Sequence, residues 1–265
     1  MLPGVYTATK KDGTIYYRSS ITYQNKHISL GSYASEDAAN QAYQKADALL
    51  RDPSVSFEHA LAHRSVLSFD KTVTLMNFRD NGVYIKTPIY LRKNYFEYFL
   101  SPTLILKFDI DDLFYYSSHR IQKRGGHLFV SDYGMQYNIL SRYGIKSHGV
   151  PGKDFRFVNE DSSDYRYSNI MIINPYAGVN MLQAGGKISY QAKIHITGYF
   201  SLGTYESDYL AAIAYNKACD LAKDAGIHRE FPVNYIDFLS PSQYAELYAD
   251  LVLPEKYLTY LASFS

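Results

Sequence analysis

The sequence predicts an α+β protein in which two small units, each a three-stranded sheet plus a helix, flank a ββα middle domain and precede a helical C-terminal tail. Two observations lead to this prediction: an internal repeat, and a succession of short strand patterns in each copy that ends in one helical pattern. Hydrophobic residues make up 46% of the 265 residues, so the chain can bury packed cores.

The repeat aligns residues 29–49 with residues 201–221 without a gap, and eleven of the 21 positions are identical. Upstream, Gly4-Val5 and Gly178-Val179 open the two copies. Each copy then contains a Tyr-x-x-x-Ile segment with strand character. Similarity of this extent indicates two copies of one structural unit.

Turn residues divide each copy into three strands. Lys11-Asp12-Gly13 and Ala184-Gly185-Gly186 predict hairpin turns between the first and second strands. Residues 23–26 and 197–198 predict the turns that follow.

A helix is predicted to close each copy. Ser35 and Ser207 are the predicted N-caps, and an acidic residue follows each of them. Small residues then recur at three- and four-residue spacing, so the helix can lie close to the sheet. These residues are Ala39, Ala42, Ala46, Ala211, Ala214 and Ala218.

Strand alternation predicts which side chains point away from that helix. No acidic residue occurs from Pro175 to Tyr205. A sheet whose free face carries cationic and hydrogen-bonding side chains fits the DNA major groove, although an ordinary solvated sheet face is the alternative. The same bias in both copies favours DNA. The predicted outward residues are Tyr16, Arg18, Ser20 and Thr22 in the first copy and Ser189, Gln191, Lys193 and His195 in the second.

The same residues carry a resemblance to a known family. Gly-Val, a strand, Leu-Gly-x-Tyr and the run Ala-Ala-Ile-Ala-Tyr-Asn-Lys-Ala at 211–218 are similar to the APETALA/ethylene-response-factor DNA-binding domain, over about residues 3–50 and 176–224. In that family the sheet enters the major groove. The resemblance implies DNA contacts at Tyr6, Arg18, Ser20, Thr22, Asn180, Gln191, Lys193 and His195.

The chain departs from that family after Gly-Val, where the family has a basic residue and this sequence has Tyr6 and Asn180. We therefore expect a target sequence different from the family's usual one. Neighbouring side chains of the same predicted sheets complete the expected DNA-binding set: Thr9, Lys10, Lys11, Tyr16, Lys26, Lys187 and Ser189.

Between the copies, residues 155–170, FRFVNEDSSDYRYSNI, resemble the core of the HNH homing endonucleases that phages and mobile genetic elements carry. That core consists of two strands and a helix around one metal ion. The hydrophobic frame is kept, as are Arg166 and Asn169. Phe157 stands where the general-base histidine belongs, and Tyr165 stands where the central asparagine belongs.

These two replacements predict that catalysis has been lost, because phosphodiester hydrolysis needs a base for the attacking water and a metal for the phosphate. Oxygen ligands at 159–161 are suited to a hard cation, but we prefer to interpret them as a polar turn. The alternative is an active nuclease or nickase with a displaced histidine at His119, His127 or His148, which alone would need Mg²⁺ or Mn²⁺. Otherwise no cofactor and no metal site are expected.

A basic segment precedes this core. From Ser117 to Lys153 there are six basic residues and one acidic residue, Asp132. Residues 119–127 predict a hairpin or a loop with two glycines, whose backbone can approach a phosphate closely. We expect non-specific DNA contacts from Arg120, Lys123, Arg124, Arg142 and Lys146.

The predicted domains are a DNA-binding unit at 1–52, a connecting segment at 53–110, a degenerate HNH-like domain at 111–174, a second DNA-binding unit at 175–226 and a helical tail at 227–265. Within 53–116 the sequence predicts a helix or linker at 54–67, strand character on both sides of Pro88, and a helix start at 108–116. In the tail, Ser240 or Ser242 is the predicted N-cap of a helix with Tyr244, Leu247, Tyr248 and Leu251 on one face. That helix is expected to pack on the second unit or to form a homodimer.

The sequence as a whole predicts a sequence-specific double-stranded DNA-binding protein, derived from a homing endonuclease and acting as a transcriptional repressor. The single cysteine, Cys219, suits a reducing compartment. The sequence shows neither a signal-peptide pattern nor a stretch of 18 apolar residues, so we expect a location on DNA in the cytoplasm of a prokaryotic host, with no membrane or small-molecule partner.

Overall fold

The computed structural model describes residues 2–63, 65–146 and 149–264, and the chain divides into two compact units. The first unit comprises Met1–Asn138 and Asp161–Asn169, and the second comprises Ile139–Glu160 and Ile170–Ser265. Over the described ranges, seven α-helices accompany four three-stranded antiparallel sheets and one two-stranded sheet. The α+β class is therefore confirmed.

The first unit opens with the first copy of the repeat. Its elements are β1 (Val5–Thr9), β2 (Ile15–Tyr23), β3 (Lys26–Tyr33) and α1 (Glu36–Arg51), and the strand order is β1-β2-β3. Ser35 caps α1 as predicted, because its hydroxyl accepts from the Ala38 N–H at 3.2 Å. The predicted alanines of this helix are fully buried against the sheet.

The chain from 53 onwards continues the core of the first copy. Its elements are α2 (Phe57–Ala62), α3 (Phe69–Asn81), β4 (Ile89–Leu91), β5 (Tyr95–Ser101), β6 (Leu104–Asp109), a 3₁₀ turn (Ile110–Asp112) and α4 (Leu113–Ser118). Leu49 and Leu50 of α1 share one buried cluster with Phe57, Leu75 and Phe78. The strand character predicted on both sides of Pro88 occurs only after it. The segment predicted as a connector is thus a packed layer on α1.

The first unit ends with a meander and a returning loop. The meander is β7 (Ile121–Arg124), β8 (His127–Asp132) and β9 (Met135–Asn138), and the loop ends in a 3₁₀ turn (Tyr167–Asn169). The hairpin predicted at 119–127 is confirmed, with Gly125 and Gly126 at its tip.

The second unit contains the second copy of the repeat. Its elements are a 3₁₀ helix (Ile139–Tyr143), β10 (Phe155–Phe157), β11 (Ile170–Ile172), β12 (Val179–Ala184), β13 (Lys187–His195), β14 (Tyr199–Tyr205), α5 (Asp208–Asp224), α6 (Pro241–Asp250) and α7 (Glu255–Ala262). Ser207 precedes α5 but makes no side-chain capping bond, unlike Ser35.

The C-terminal tail packs on α5. Ser240 caps α6 in a complete capping box with Gln243, which confirms one of the two predicted N-caps. The Lys217 ammonium of α5 donates to the carbonyl oxygens of Tyr248 and Leu251 at 2.7 and 2.6 Å. From α7, the Tyr257 hydroxyl donates to the Ala218 carbonyl at 2.7 Å. The apolar face of α6 is therefore used inside its own chain. In the parts of the chain described here, every helix falls short of what a membrane crossing requires.

One part of the predicted architecture is wrong. β10 and β11 pair as two antiparallel strands, but no α-helix lies in the described segment from Phe155 to Val179. The 3₁₀ turn at 167–169 lies between the strands, and β12 starts soon after β11. Of the ββα order predicted for the middle domain, the described residues therefore show the two strands but not the helix.

Candidate nucleic-acid interface

The first sheet, β1–β3, presents a row of polar side chains across its outer face. Tyr6 pairs with Arg18, and Arg18 pairs with Ser32 on the far strand. Tyr6 is 54% exposed, and Arg18 and Ser32 are exposed as well. The Arg18 guanidinium donates to the Tyr16 hydroxyl at 2.8 Å and lies 5.5 Å from the centroid of that ring. Tyr16 therefore orients the arginine before any partner binds.

The second sheet, β12–β14, presents the equivalent row. Asn180 pairs with Gln191, and Gln191 pairs with Thr204. The Gln191 amide nitrogen donates to the Ser201 hydroxyl at 3.3 Å. The two sheets therefore place an arginine and a glutamine at the same position of the same scaffold.

A β-bulge occurs at the same point in both sheets. The register shifts between Ser19 and Ser20, and between Ala192 and Lys193, so that Leu30 and Leu202 are the extra residues. Both leucines are buried, which explains the Leu-Gly pair in the repeat.

Ser20 is buried, although the sequence predicts that it is exposed on the outer face of the sheet. Its partner is the exposed Ser29, yet Ser20 itself is only 8% exposed. Its backbone N–H donates to the Gly4 carbonyl at 3.0 Å, so the chain before β1 lies against this point of β2. Its counterpart Lys193 makes the same backbone bond, to Gly178, but has a long side chain that stays partly exposed.

Gly4 and Gly178 make this close approach feasible. Both have a positive φ, and a Cβ on either would overlap a helix tyrosine, Tyr43 in the first copy or Tyr215 in the second. Only glycine allows the strand to begin so near the helix. The two copies thus share a packing device as well as a sequence pattern.

The remaining predicted sheet residues lie at the edges and turns. Thr22 contacts His27 at 3.4 Å between its Oγ1 and the ring Nδ1, and the Lys26 ammonium lies 5.6 Å from the Tyr84 ring centroid. Ser189 is half-buried on β13. The exposed members are Thr9, Lys10, Lys11, Lys26 and Lys187.

His195 has a neighbour that the repeat does not predict. It pairs with Tyr199, which is 78% exposed, and the two rings lie 4.7 Å apart. Arg229, from the chain after α5, places its Nη1 3.2 Å from His195 Nδ1 and 3.1 Å from the Ile196 carbonyl oxygen. Because Arg229 lies beyond both copies, neither the alignment nor the family resemblance indicates it.

The basic segment is divided between the two units. Arg120, Lys123 and Arg124 lie in the first unit, and Arg142 and Lys146 lie in the second. Lys123, Arg124 and Arg142 are exposed, and Arg120 forms an ion pair with Asp70.

Lys146 does not fit the phosphate-contacting role that the sequence predicts. Its ammonium lies 2.8 Å from Asp154 and donates to the carbonyls of Tyr176 and Val179 at 3.3 Å each. A lysine has three N–H donors, and all three are used within the second unit. Lys146 therefore holds this unit together, and we remove it from the expected phosphate contacts.

The segment 155–170 contains packed aromatic rings at 157 and 165, the two positions where the HNH resemblance implies catalytic groups. Tyr165 is 9% exposed and stacks on Phe108, with 5.6 Å between ring centroids. Burial raises the pKa of Tyr165 to about 12. The Phe157 ring lies 5.5 Å from that of Phe155. Neither ring offers a base at neutral pH.

Arg166 and Asn169, the two residues that match the HNH resemblance, stabilise the loop. Arg166 forms a two-point ion pair with the fully buried Asp164, at 2.8 and 2.6 Å. The Asn169 side-chain amide donates to the Asp164 carbonyl at 2.8 Å. The loop backbone also joins β6, because Lys107 N–H donates to Ser163 and Tyr165 N–H donates to Lys107, at 2.9 and 2.8 Å. Arg166 and Asn169 therefore have a structural role here.

The negative charge of Asp161 is balanced by a basic side chain of the first unit. Its carboxylate accepts from the Ser163 hydroxyl at 2.6 Å and lies 3.0 Å from the Lys107 ammonium. These contacts, the Ser163 hydroxyl first and then Lys107, lower the pKa of Asp161 to about 2. This arrangement agrees with the polar turn that we preferred for 159–161.

A pH prediction follows from that shift. The folded-state pKa of Asp161 lies below its ordinary value of 3.8, so its stabilising effect is present above about pH 4 and is lost as the pH falls towards 2. We expect an Asp161→Asn variant to melt below the unaltered protein at pH 7, and the difference to shrink as the pH is lowered to 2.5. Thermal melting by circular dichroism measures this, with Asp111→Asn as an exposed control. A difference that stays constant with pH would contradict it.

The displaced-histidine candidates differ in their surroundings. His119 stacks on Tyr115 with 4.2 Å between ring centroids, its Nδ1 donates to the Tyr115 carbonyl at 2.9 Å, and its Nε2 lies 3.6 Å from Asp132. His127 is exposed on β8, and His148 lies outside the described residues. Across the described ranges, no group of three or more His, Cys, Asp or Glu residues is arranged to hold a metal ion.

Comparisons with protein-family models, with curated proteins and with solved structures find no match to this chain.

Proposed function

We propose that this chain is a sequence-specific double-stranded DNA-binding protein that represses transcription, and that it derives from an HNH homing endonuclease without retaining the nuclease activity. The observation that carries the proposal is the pair of equivalent rows, Tyr6-Arg18-Ser32 and Asn180-Gln191-Thr204, on two copies of one scaffold. A repressor of this kind acts on DNA in the cytoplasm of a prokaryotic host.

The chemistry of the two rows supports DNA as the ligand. Arginine donates two parallel hydrogen bonds to guanine O6 and N7, and the amide of glutamine matches adenine N6 and N7. Both rows lie on three-stranded sheets, a shape that the major groove admits. The second sheet has no acidic residue from Pro175 to Tyr205 that would repel phosphates.

The loss of nuclease activity is supported by what replaces the catalytic groups. Phe157 has no proton-transfer group, Tyr165 is buried and stacked, and Asp161 is paired with Lys107. Binding then remains as the activity, and a bound protein excludes polymerase from a promoter.

We propose that one chain binds each DNA site. The sequence predicts that the α6 face packs on the second unit or on a partner subunit, and it packs on α5, with Tyr248 donating to Asp220 at 3.0 Å. With two base-reading sheets in one chain, the site should contain two different specified blocks and be non-palindromic. No cofactor is needed for this activity, and Mg²⁺ or Mn²⁺ would matter only for a nuclease.

Gel shifts followed by a cleavage assay test the proposal. DNA fragments around the protein's own gene are incubated with the protein, first without metal and then with Mg²⁺ or Mn²⁺. We expect a shifted band on at least one fragment and intact DNA in both metals. Absence of a shift on every fragment would refute DNA binding.

Cleavage would instead support an active nuclease. In that case His119→Ala, His127→Ala and His148→Ala are compared with His63→Ala, a histidine at the end of α2. Metal-dependent cleavage that one of the first three variants abolishes, and His63→Ala does not, would overturn the repressor proposal.

A further inference from the structure

Three side chains converge at the end of the second sheet where a turn joins β13 to β14. His195 ends β13, Tyr199 begins β14 directly opposite, and Arg229 reaches them from the chain that follows α5. All three are exposed. We call them the His195 cluster.

Arg229 determines which nitrogen of His195 carries the proton. A guanidinium has five N–H donors and no acceptor, so at 3.2 Å the His195 Nδ1 must accept from Arg229 Nη1. In neutral His195 the hydrogen is then on Nε2. His195 therefore presents an N–H donor on its other side.

Arg229 keeps further donors for a ligand. The two hydrogens of Nη1 are directed to His195 Nδ1 and to the Ile196 carbonyl, at 3.2 and 3.1 Å. The guanidinium also lies 5.9 Å from the Phe231 ring centroid, which limits its rotation. Nε and Nη2 are left to donate, and both belong to an exposed, permanently charged group.

The charge around the cluster favours an anion. Lys193 lies two residues before His195 on β13, and Lys223 and His228 line the surface around Arg229. Glu230 is the one acidic residue lining that depression among the described residues. Four donor atoms of this cluster, from His195, Tyr199 and Arg229, thus lie in a positive field.

We infer that the His195 cluster binds a backbone phosphate of DNA beside the bases that Gln191 contacts. This inference rests on the proposed DNA-binding function. Arg229 supplies the charge and fixes the histidine, while His195 and Tyr199 donate to the phosphate oxygens.

Among the described residues, the first sheet shows no such anchor. The equivalent pair there is Thr22 and His27, which contact each other at 3.4 Å. In the described part of the chain, no arginine forms a hydrogen bond with the side chain of either residue. The second sheet therefore holds the backbone more firmly than the first.

Binding measured as a function of salt tests the inference. Fluorescence anisotropy is recorded for the unaltered protein and for Arg229→Ala on the operator duplex and on a random duplex of the same length. We expect Arg229→Ala to weaken both by the same factor, about tenfold, and to reduce the slope of log K against log salt by about 1. Arg229→Lys should recover the slope, because it keeps the charge.

Lys256→Ala is the matched control, since it removes one exposed charge of the same unit from α7. It should change neither affinity nor slope. A second readout is the ¹⁵N spectrum of His195, which should report hydrogen on Nε2 in the unaltered protein and a mixture of both forms in Arg229→Ala.

The outcomes separate this inference from the proposed function. If the unaltered protein binds no DNA, both are overturned. If it binds and Arg229→Ala behaves like Lys256→Ala, this inference alone is overturned. A changed preferred sequence in Arg229→Ala would also overturn it, because a phosphate contact carries no base information.

Discussion

Replacing Gly178 by alanine should destabilise the second unit by about 2–5 kcal/mol. The new Cβ would overlap the Tyr215 ring and lie 2.7 Å from the Lys193 carbonyl oxygen. The backbone at Gly178 has a φ of +70°, which costs an L-residue roughly 1–2 kcal/mol by itself. Crowding of a packed site adds roughly 1–3 kcal/mol.

Gly186→Ala separates the two contributions. Gly186 has a similar φ of +80°, but a Cβ there would have no atom within 4 Å. The Gly186→Ala variant should therefore lose only the free energy of unfolding that a positive φ costs an L-residue. Urea unfolding followed by tyrosine fluorescence and circular dichroism gives both free energies. Equal losses for the two variants would show that the contact between Gly178 and Tyr215 does not limit the packing of β12 on α5.

Arg18→Ala and Gln191→Ala should each weaken operator binding by about 1–3 kcal/mol, or roughly 5–150-fold, while relaxing different positions of the site. Arg18 is held by Tyr16 at 2.8 Å with donors available for guanine. Gln191 uses one amide hydrogen on Ser201 and keeps its carbonyl oxygen and second hydrogen, the pair that adenine requires. Selection from randomised operators should lose a guanine in the first variant and an adenine in the second.

Lys123→Ala and Arg124→Ala are the controls for this experiment. Both side chains are exposed on β7, where we expect phosphate contacts. Their loss should weaken operator and random DNA alike and reduce the salt slope. If Arg124→Ala changed the preferred sequence while Gln191→Ala changed nothing, the assigned roles would be reversed. Point substitutions are needed here, because removing 1–52 would expose the core that α1 shares with α3.

The repeat was predictable because its signals are local. Glycine-containing turns, a serine before each helix and alanines at helical spacing are all visible within each copy of about fifty residues. The bulge was not predicted, because strand alternation assumes an unbroken period of two. One extra residue, Leu30, changes the register of β3, and Ser20 is covered rather than exposed because the chain at Gly4 lies against β2.

The nuclease-like segment shows where local reasoning ends. The HNH resemblance implies that Phe157 and Tyr165 replace catalytic residues, but the partners of the loop are more than fifty positions away. Lys107 contacts Asp161, and Phe108 stacks on Tyr165. No spacing rule relates residues so distant, and for the same reason the role of Lys146 with Asp154 and Tyr176 became visible only in the fold.

Lys107 also gives the loop its own counter-ion. In some sites, dissolved cations balance the charge of clustered acidic residues. The charge balance of such a site depends on the cation concentration, and a chelator can remove the cations. Here the balancing charge on Asp161 is covalently attached to β6, 3.0 Å from the carboxylate, and it cannot diffuse away. The loop should therefore hold its shape equally well in EDTA and in millimolar magnesium, because its charge balance is a self-contained part of the first unit.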